Sequence, residues 1–135
     1  MEFTVEQYCT QLHTGQWFCF HDPKNKSLDT LQLTDYGKEQ GYDLPTKQEF
    51  ADWKKQKILE TKIQQAKSEA TRRIQAKWDT HGQVNAALGV YPKDQQQACK
   101  ECIDSHRQAL QDLIAIIKND GNPEGIDISD NKYWP

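Results

Sequence analysis

The chain has 135 residues, a length that fits one ordinary domain. Its net charge of -3 gives no bulk attraction to phosphate backbones, so the composition argues against nucleic-acid binding. Hydrophobic residues make up 36% of the chain and the mean hydropathy is -0.95, whereas aromatic residues reach 10%. We expect an ordered chain with so little apolar surface to be elongated or to be completed by a partner.

Neither a membrane span nor an export signal is predicted. The longest apolar run, residues 113–117, is far too short to cross a bilayer. Residues 1–4 lack the basic and apolar regions of a secretion signal. We therefore expect synthesis in a cytosol, where four cysteines stay reduced: Cys9, Cys19, Cys99 and Cys102.

A short helix and two strands are predicted at the start of the chain. Apolar side chains recur at helical spacing over residues 4–12, where Thr4 and Gln7 can form a capping box. An aromatic run at 16–20 and an apolar run at 28–33 indicate two strands joined by a turn. Because a two-stranded hairpin is only marginally stable alone, it must pack on a helix or another subunit.

A long helix is predicted after a loop at residues 36–44. Thr46 can accept a hydrogen bond from the amide of Glu49, while the Glu49 side chain reaches back to the amide of Thr46. No proline or glycine interrupts the helical spacing of apolar residues until residue 82. A helix over residues 47–80 would be about 50 Å long at 1.5 Å per residue.

The second half of the chain predicts a return helix. We expect the first long helix to continue, with a bend at Gly82, to a C-cap at Gly89. Pro92 or Asp94 then begins the last helix, and Gly121 ends it. Its apolar residues alternate by four and three, as in a coiled-coil heptad, and are Cys99, Ile103, His106, Leu110, Leu113 and Ile117.

These elements predict a mainly α fold, in which a long coiled-coil-like helical hairpin follows a small subdomain of one helix and a β-hairpin. We place the small aromatic subdomain and loop at residues 1–43 and the helical hairpin at 44–121. Residues 122–135 are predicted to be an extended tail, ordered only if its aromatic side chains dock.

The first hairpin helix carries a thin apolar stripe. Between Ile63 and Ile74 it contains only Ala66 and Ala70, which bury little surface. We therefore expect a homo-oligomer, with a trimer favoured, built from the hairpins. The predicted hairpin and oligomer interface consists of Ile63, Ala70, Ile74, Trp78, Ile103, Leu110, Leu113 and Ile117.

One cluster has the composition of a metal site. Cys99, Cys102 and His106 share a face of the predicted last helix, and thiolate with imidazole suits zinc. Core packing is the favoured interpretation, because Cys99 and His106 occupy heptad core positions and cysteine is a common small core residue. No histidine-based triad or glycine-rich phosphate loop is present. We expect no catalytic activity, no cofactor and no metal.

Aromatic residues crowd into the N-terminal third. Aromatic side chains are enriched at interfaces because they bring a large area at low entropic cost. We expect the partner-binding surface in this region, although a small hydrophobic core is the favoured interpretation of the aromatic residues in the run at 16–20. The predicted partner-binding residues are Trp17, Phe18, Phe20, Tyr36 and Tyr42.

The middle of the chain resembles a known family. A helix ending in Ile74-Gln75-Ala76-Lys77-Trp78 is followed by Gln83-Val84-Asn85-Ala86-Ala87-Leu88-Gly89-Val90-Tyr91. This pattern is similar to tail-fibre and tail-fibre-assembly proteins of tailed bacteriophages, over about residues 44–117. The chain departs from it at residues 79–82, where more apolar side chains would be usual.

The resemblance implies a non-enzymatic tail or fibre component of the virion, or a chaperone that assembles one in the host bacterial cytoplasm. Its partners would be other virion or assembly proteins, with no nucleic acid and no membrane. A small phage- or host-encoded inhibitor of a single protein is the alternative, and a zinc-stabilised binding module is the third hypothesis.

Overall fold

A computed structural model describes residues 1–135, which are 63% helical, and confirms the mainly α fold with its helical hairpin. In chain order the elements are α1 (Val5–Leu12), β1 (Phe18–Phe20), β2 (Leu31–Leu33), α2 (Asp35–Glu39), α3 (Lys47–Lys77), α4 (Thr80–Ala87) and α5 (Lys93–Asn119), followed by 3-10 turns at Pro123–Gly125 and Asn131–Tyr133. No helix combines the length and the apolar character that a membrane crossing requires. The residues form two compact units, 1–58 and 59–135, so the division falls within α3 rather than at residue 43.

The N-terminal unit is built around a small core under the β-hairpin. Strands β1 and β2 are antiparallel, with Phe18 opposite Leu33. The fully buried Trp17 donates from Nε1 to the carbonyl of Cys9, at 3.1 Å. The capping box at the start of α1 is confirmed, because the Thr4 hydroxyl accepts from the amide of Gln7 and the Gln7 side chain accepts from the amide of Thr4.

The prediction of a loop at residues 36–44 is wrong in its first half, where the structure has the helix α2. Thr34 caps this helix by accepting from the amide of Gly37, at 3.2 Å. Gly37 is needed because a Cβ at this position would clash with the carbonyl oxygen of Trp17. The glycine therefore permits close packing inside a helix, whereas the sequence pattern suggested a loop.

The start of α3 follows its predicted cap only in part. The hydroxyl of Thr46 accepts from the amide of Glu49, at 3.1 Å, as expected. The Glu49 carboxylate accepts from the Thr46 hydroxyl instead of from its amide. Aromatic packing supports this end of the helix, since the Tyr8 ring of α1 stacks on Phe50 and Trp53 with centroid distances of 5.8 and 5.0 Å.

The long helix does not continue through Gly82 as predicted. It ends at Lys77, and Asp79 caps a separate helix, α4, by accepting from the amide of Gly82 at 2.7 Å. An Asp in this position competes with the helical conformation by offering its side chain to the backbone. The helix therefore breaks instead of bending at Gly82, and the Asp79 cap places this break three residues earlier.

The predicted C-cap at Gly89 is confirmed. Gly89 has a φ of 76°, the left-handed conformation that glycine adopts without strain. Its amide donates to the carbonyl of Ala86, at 3.2 Å, and the amide of Val90 donates to Asn85, at 3.0 Å. These two bonds define a Schellman motif, which fixes the short connection into α5.

The C-terminal tail, residues 122–135, completes the core of the second unit instead of lying extended. Lys62 donates to the carbonyl of Ile126, at 2.7 Å, and Trp134 donates from Nε1 to Ile128, at 2.8 Å. The buried cluster of this unit, to which both hairpin helices and the tail contribute, consists of Ala66, Ala70, Leu113, Ile117, Ile126, Ile128 and Trp134. The thin alanine stripe of α3 is thus covered within a single chain.

A charged network holds the tail against α3. Arg73 donates to the carbonyl of Ser129, at 2.8 Å, and its guanidinium lies 5.5 Å from the ring centroid of Trp134. Glu69 orients this arginine by accepting from its Nε, at 2.7 Å, and also binds Arg72. Hydrogen bonds from Arg72 and then from Arg73 hold the pKa of the Glu69 carboxyl at about 2, below its usual 4.5.

Replacement of Trp134 tests whether the tail is part of the core. We expect Trp134→Ala to lower the free energy of unfolding by about 3 to 5 kcal/mol, the usual cost of removing a buried large aromatic side chain. Urea unfolding followed by circular dichroism measures this change. Leu88→Ala, at a side chain that is 74% exposed, is the control and should stay within about 0.5 kcal/mol of the wild type. An equally small effect of Trp134→Ala would show that the tail contributes nothing to stability.

The Glu69 network predicts a dependence of stability on pH. Because its pKa is lower in the folded chain, Glu69 stabilises the fold fully above about 4.5, and this contribution is lost as the pH falls toward about 2. Glu69→Gln should therefore be less stable than the wild type at neutral pH and should approach it in acid. Urea unfolding across this range measures the difference. Glu39→Gln, which removes an exposed carboxylate outside any ion pair, should keep the pH dependence of the wild type; the idea fails if Glu69→Gln does so too.

Candidate functional site

The predicted partner-binding aromatic residues do not form one surface. Trp17 is 0% exposed and belongs to the core of the N-terminal unit, so its assignment to a partner surface is wrong and the core interpretation is correct. Tyr42 packs on the same core and stacks on His13, with 3.7 Å between ring centroids. Only Tyr36 is well exposed, and it lies on α2. Trp17 packs closely against parts of the chain that are distant in the sequence, so no short-range pattern predicts its burial.

Phe18 and Phe20 keep a partial surface role. Both are half-buried against the N-terminal core, and both line a cavity of about 550 Å³. Cys19 and the residues that end α1 complete its wall. The cavity carries few charges and no unpaired buried polar side chain points into it, so its geometry indicates no particular chemistry.

Two members of the cysteine and histidine cluster, Cys99 and His106, are buried on α5. Cys99 is buried, and burial, followed by the nearby Cys102, raises the pKa of its thiol. The Nδ1 atom of His106 lies 2.7 Å from the carbonyl oxygen of Cys102. Since a carbonyl can only accept, Nδ1 carries a proton, and Nε2 is the nitrogen of this imidazole that stays available to another partner. No three His, Cys, Asp or Glu side chains are grouped as metal ligands, while the independence of the fold from zinc stays a prediction.

The predicted hairpin and oligomer interface lies in the second unit. Ala70, Leu113 and Ile117 are buried in its core, and Ile63 and Leu110 pack against it. The remaining three side chains are half-buried: Ile74, Trp78 and Ile103. The end of the heptad stripe at Leu113 and Ile117 is therefore occupied within one chain, whereas Ile103 and Leu110 also line open space. The trimer stays a prediction.

An apolar surface that sequence reasoning missed lies at the end of α4 and in the turn after it. Val84, Leu88 and Val90 are 49%, 74% and 64% exposed. Contiguous exposed apolar side chains on a soluble protein often mark an interaction site. The signal was present in the sequence as apolar residues between the Asp79 cap and Gly89, but the expected continuous helix assigned Leu88 to the hairpin instead.

A groove opens on another side of α4, between this helix and α5. Its larger part has a volume of about 660 Å³ and is lined by Ala86 and Ala87 of α4 and by Ile103 of α5. A second part of about 290 Å³ continues it, because Ile103 and Arg107 line both, and extends to Ile74 of α3. The small side chains of Ala86 and Ala87 leave the groove open, and Ile74 and Ile103 form its apolar floor. The arrangement suits non-covalent binding of a protein segment.

The charged side chains that line the groove belong to lysine, arginine and a single aspartate. The groove and the exposed apolar residues of α4 form the candidate functional site. Comparison of the chain with profiles of known protein families, with curated proteins and with solved structures finds no match.

Proposed function

We propose that the protein is a non-enzymatic component of bacteriophage tail-fibre assembly, in the virion or as an assembly factor, and that it acts through protein-protein contacts. The support is a coincidence of two features. Residues 83–91 carry the resemblance to tail-fibre and tail-fibre-assembly proteins, and the same residues form the end of α4 with its exposed Val84, Leu88 and Val90.

The observation that carries the proposal is the exposure of these side chains on a fixed backbone. The Schellman motif at Gly89 holds the turn, so little conformational entropy remains to be lost when a partner covers it. Leu88 is 74% exposed, so burial of its side chain contributes almost nothing to the stability of the fold. A partner that buried it would supply the missing apolar contact.

The proposal also covers location and assembly. The protein would be made in the host bacterial cytoplasm and would meet its tail partners there before incorporation or release. Self-association of the hairpins, with a trimer as the favoured form, would match the symmetry of a fibre but would have to use surface outside the buried end of the heptad stripe.

Replacement of the exposed apolar residues tests the function. In a phage that encodes the chain with an affinity tag, we expect tail proteins to be recovered with it from infected-cell lysate, as identified by mass spectrometry. Val84→Lys combined with Leu88→Lys should lower this recovery by about tenfold or more, because it places two charges in the proposed contact. Electron microscopy of the progeny should then show particles with missing or defective fibres.

Ile116→Lys is the matched control, since Ile116 is also an exposed apolar residue of the second unit and lies on α5. Circular dichroism of all variants checks that the helices remain. Normal fibres and unchanged recovery in the double variant would refute the role of α4. Recovery of one host protein and no tail protein would favour the inhibitor hypothesis instead.

A further inference from the structure

The rim of the α4–α5 groove is cationic, although the chain as a whole has a net charge of -3. Four cations and one carboxylate line its two parts: Lys67, Lys93, Lys100, Arg107 and Asp104. No carboxylate lies within 4.0 Å of any of the four cations. Unpaired cations along an apolar cleft attract anionic groups more strongly than cations on an open surface do. The local charge therefore selects an acidic partner.

The shape of the groove selects a helix. It follows α5 from Lys93 to Leu110, a length of about 25 Å at 1.5 Å per residue. Its walls are helices, whose backbone groups are paired internally, so they offer no edge to an extended peptide. A bound helix satisfies its own backbone and needs only side-chain contacts with the floor.

We propose that this groove binds an acidic amphipathic helix of a partner protein, with apolar side chains on the floor and carboxylates at the cationic rim. The inference rests on the proposed function, because it names the chemistry of the partner that covers the same site. Val84 and Leu88 do not line the groove, so a partner that contacts them as well has to extend around α4 from Ala87.

The chain's own tail already combines apolar packing with cation contacts on α3, although the tail is not an α-helix and the cations bind its backbone carbonyls. Ile126 and Trp134 are buried in the cluster that contains the alanine stripe, while Lys62 and Arg73 donate hydrogen bonds to tail carbonyls at 2.7 and 2.8 Å. Apolar side chains over small residues, flanked by cations that bind oxygen atoms, are thus already in use at one end of the hairpin. The groove repeats these elements without an occupant from the same chain.

A synthetic peptide tests the inference on the full-length protein. The probe is a fluorescent helical peptide of about 18 residues, with leucine at every third or fourth position and glutamate on the flanking faces. We expect saturable binding by fluorescence anisotropy, weakened by added salt because the rim contacts are screened. Lys100→Glu combined with Arg107→Glu should weaken binding by about tenfold or more.

Two matched controls accompany the test. Lys24→Glu combined with Lys55→Glu makes the same change in net charge in the other unit and should leave binding unchanged. Ala87→Phe fills the groove and should abolish binding, whereas Ala115→Phe, at an exposed alanine outside the groove lining, should not.

Several outcomes would overturn the inference. Equal binding of a peptide with lysine in place of glutamate would exclude charge selection, and full affinity in the Lys100 and Arg107 double variant would exclude this rim. If light scattering shows an oligomer that Ala87→Phe dissociates, the occupant is a second copy of the chain. The peptide assay contains no phage component, so its failure leaves the result on tail-protein recovery standing, and failure of that recovery leaves peptide binding intact.

Discussion

The second unit depends on the burial of the alanine stripe of α3. Ala66 and Ala70 offer almost no side-chain volume, so α5 alone cannot build a deep core against them. The tail supplies the missing volume with Trp134 and two isoleucines, and the Glu69 and Arg73 network fixes its backbone. Toward the other end of the hairpin, Ala70 and Ile74 of α3 line the second part of the groove.

Local backbone chemistry explains which parts of the fold were predictable. The caps at Thr4 and Gly89 and the heptad of α5 depend on side chains within a few residues of each other, and all three are present. The formation of α2 depends on Gly37 meeting a carbonyl twenty residues away in the chain, which no periodicity encodes. Docking of the tail likewise depends on contacts between Trp134 and α3, which are distant in the sequence. The sequence therefore predicted an ordered tail only on the condition that its aromatic side chains dock.

The candidate site was predictable in its components but not in its location. Aromatic residues indicated an interface near residues 17–20. In the structure, however, Trp17 is buried in the core and donates its only polar hydrogen to the carbonyl of Cys9. The cations of the groove are far apart in the sequence, so no local pattern grouped them. Their convergence required the α4–α5 packing, in which Lys93, Lys100 and Arg107 line the same opening from every second turn of α5.

One carboxylate, Asp79, decides which side of residues 80–88 faces solvent. Leu88 follows Ala70 by about five helical turns at 3.6 residues each, so an unbroken helix would place both on the hairpin face. The Asp79 cap starts α4 afresh, and Ala86 becomes the buried contact instead. In this separate helix the small side chain of Ala86 lines the groove beside α5, while Leu88 is 74% exposed. The new helix start therefore accounts for the solvent exposure of Leu88.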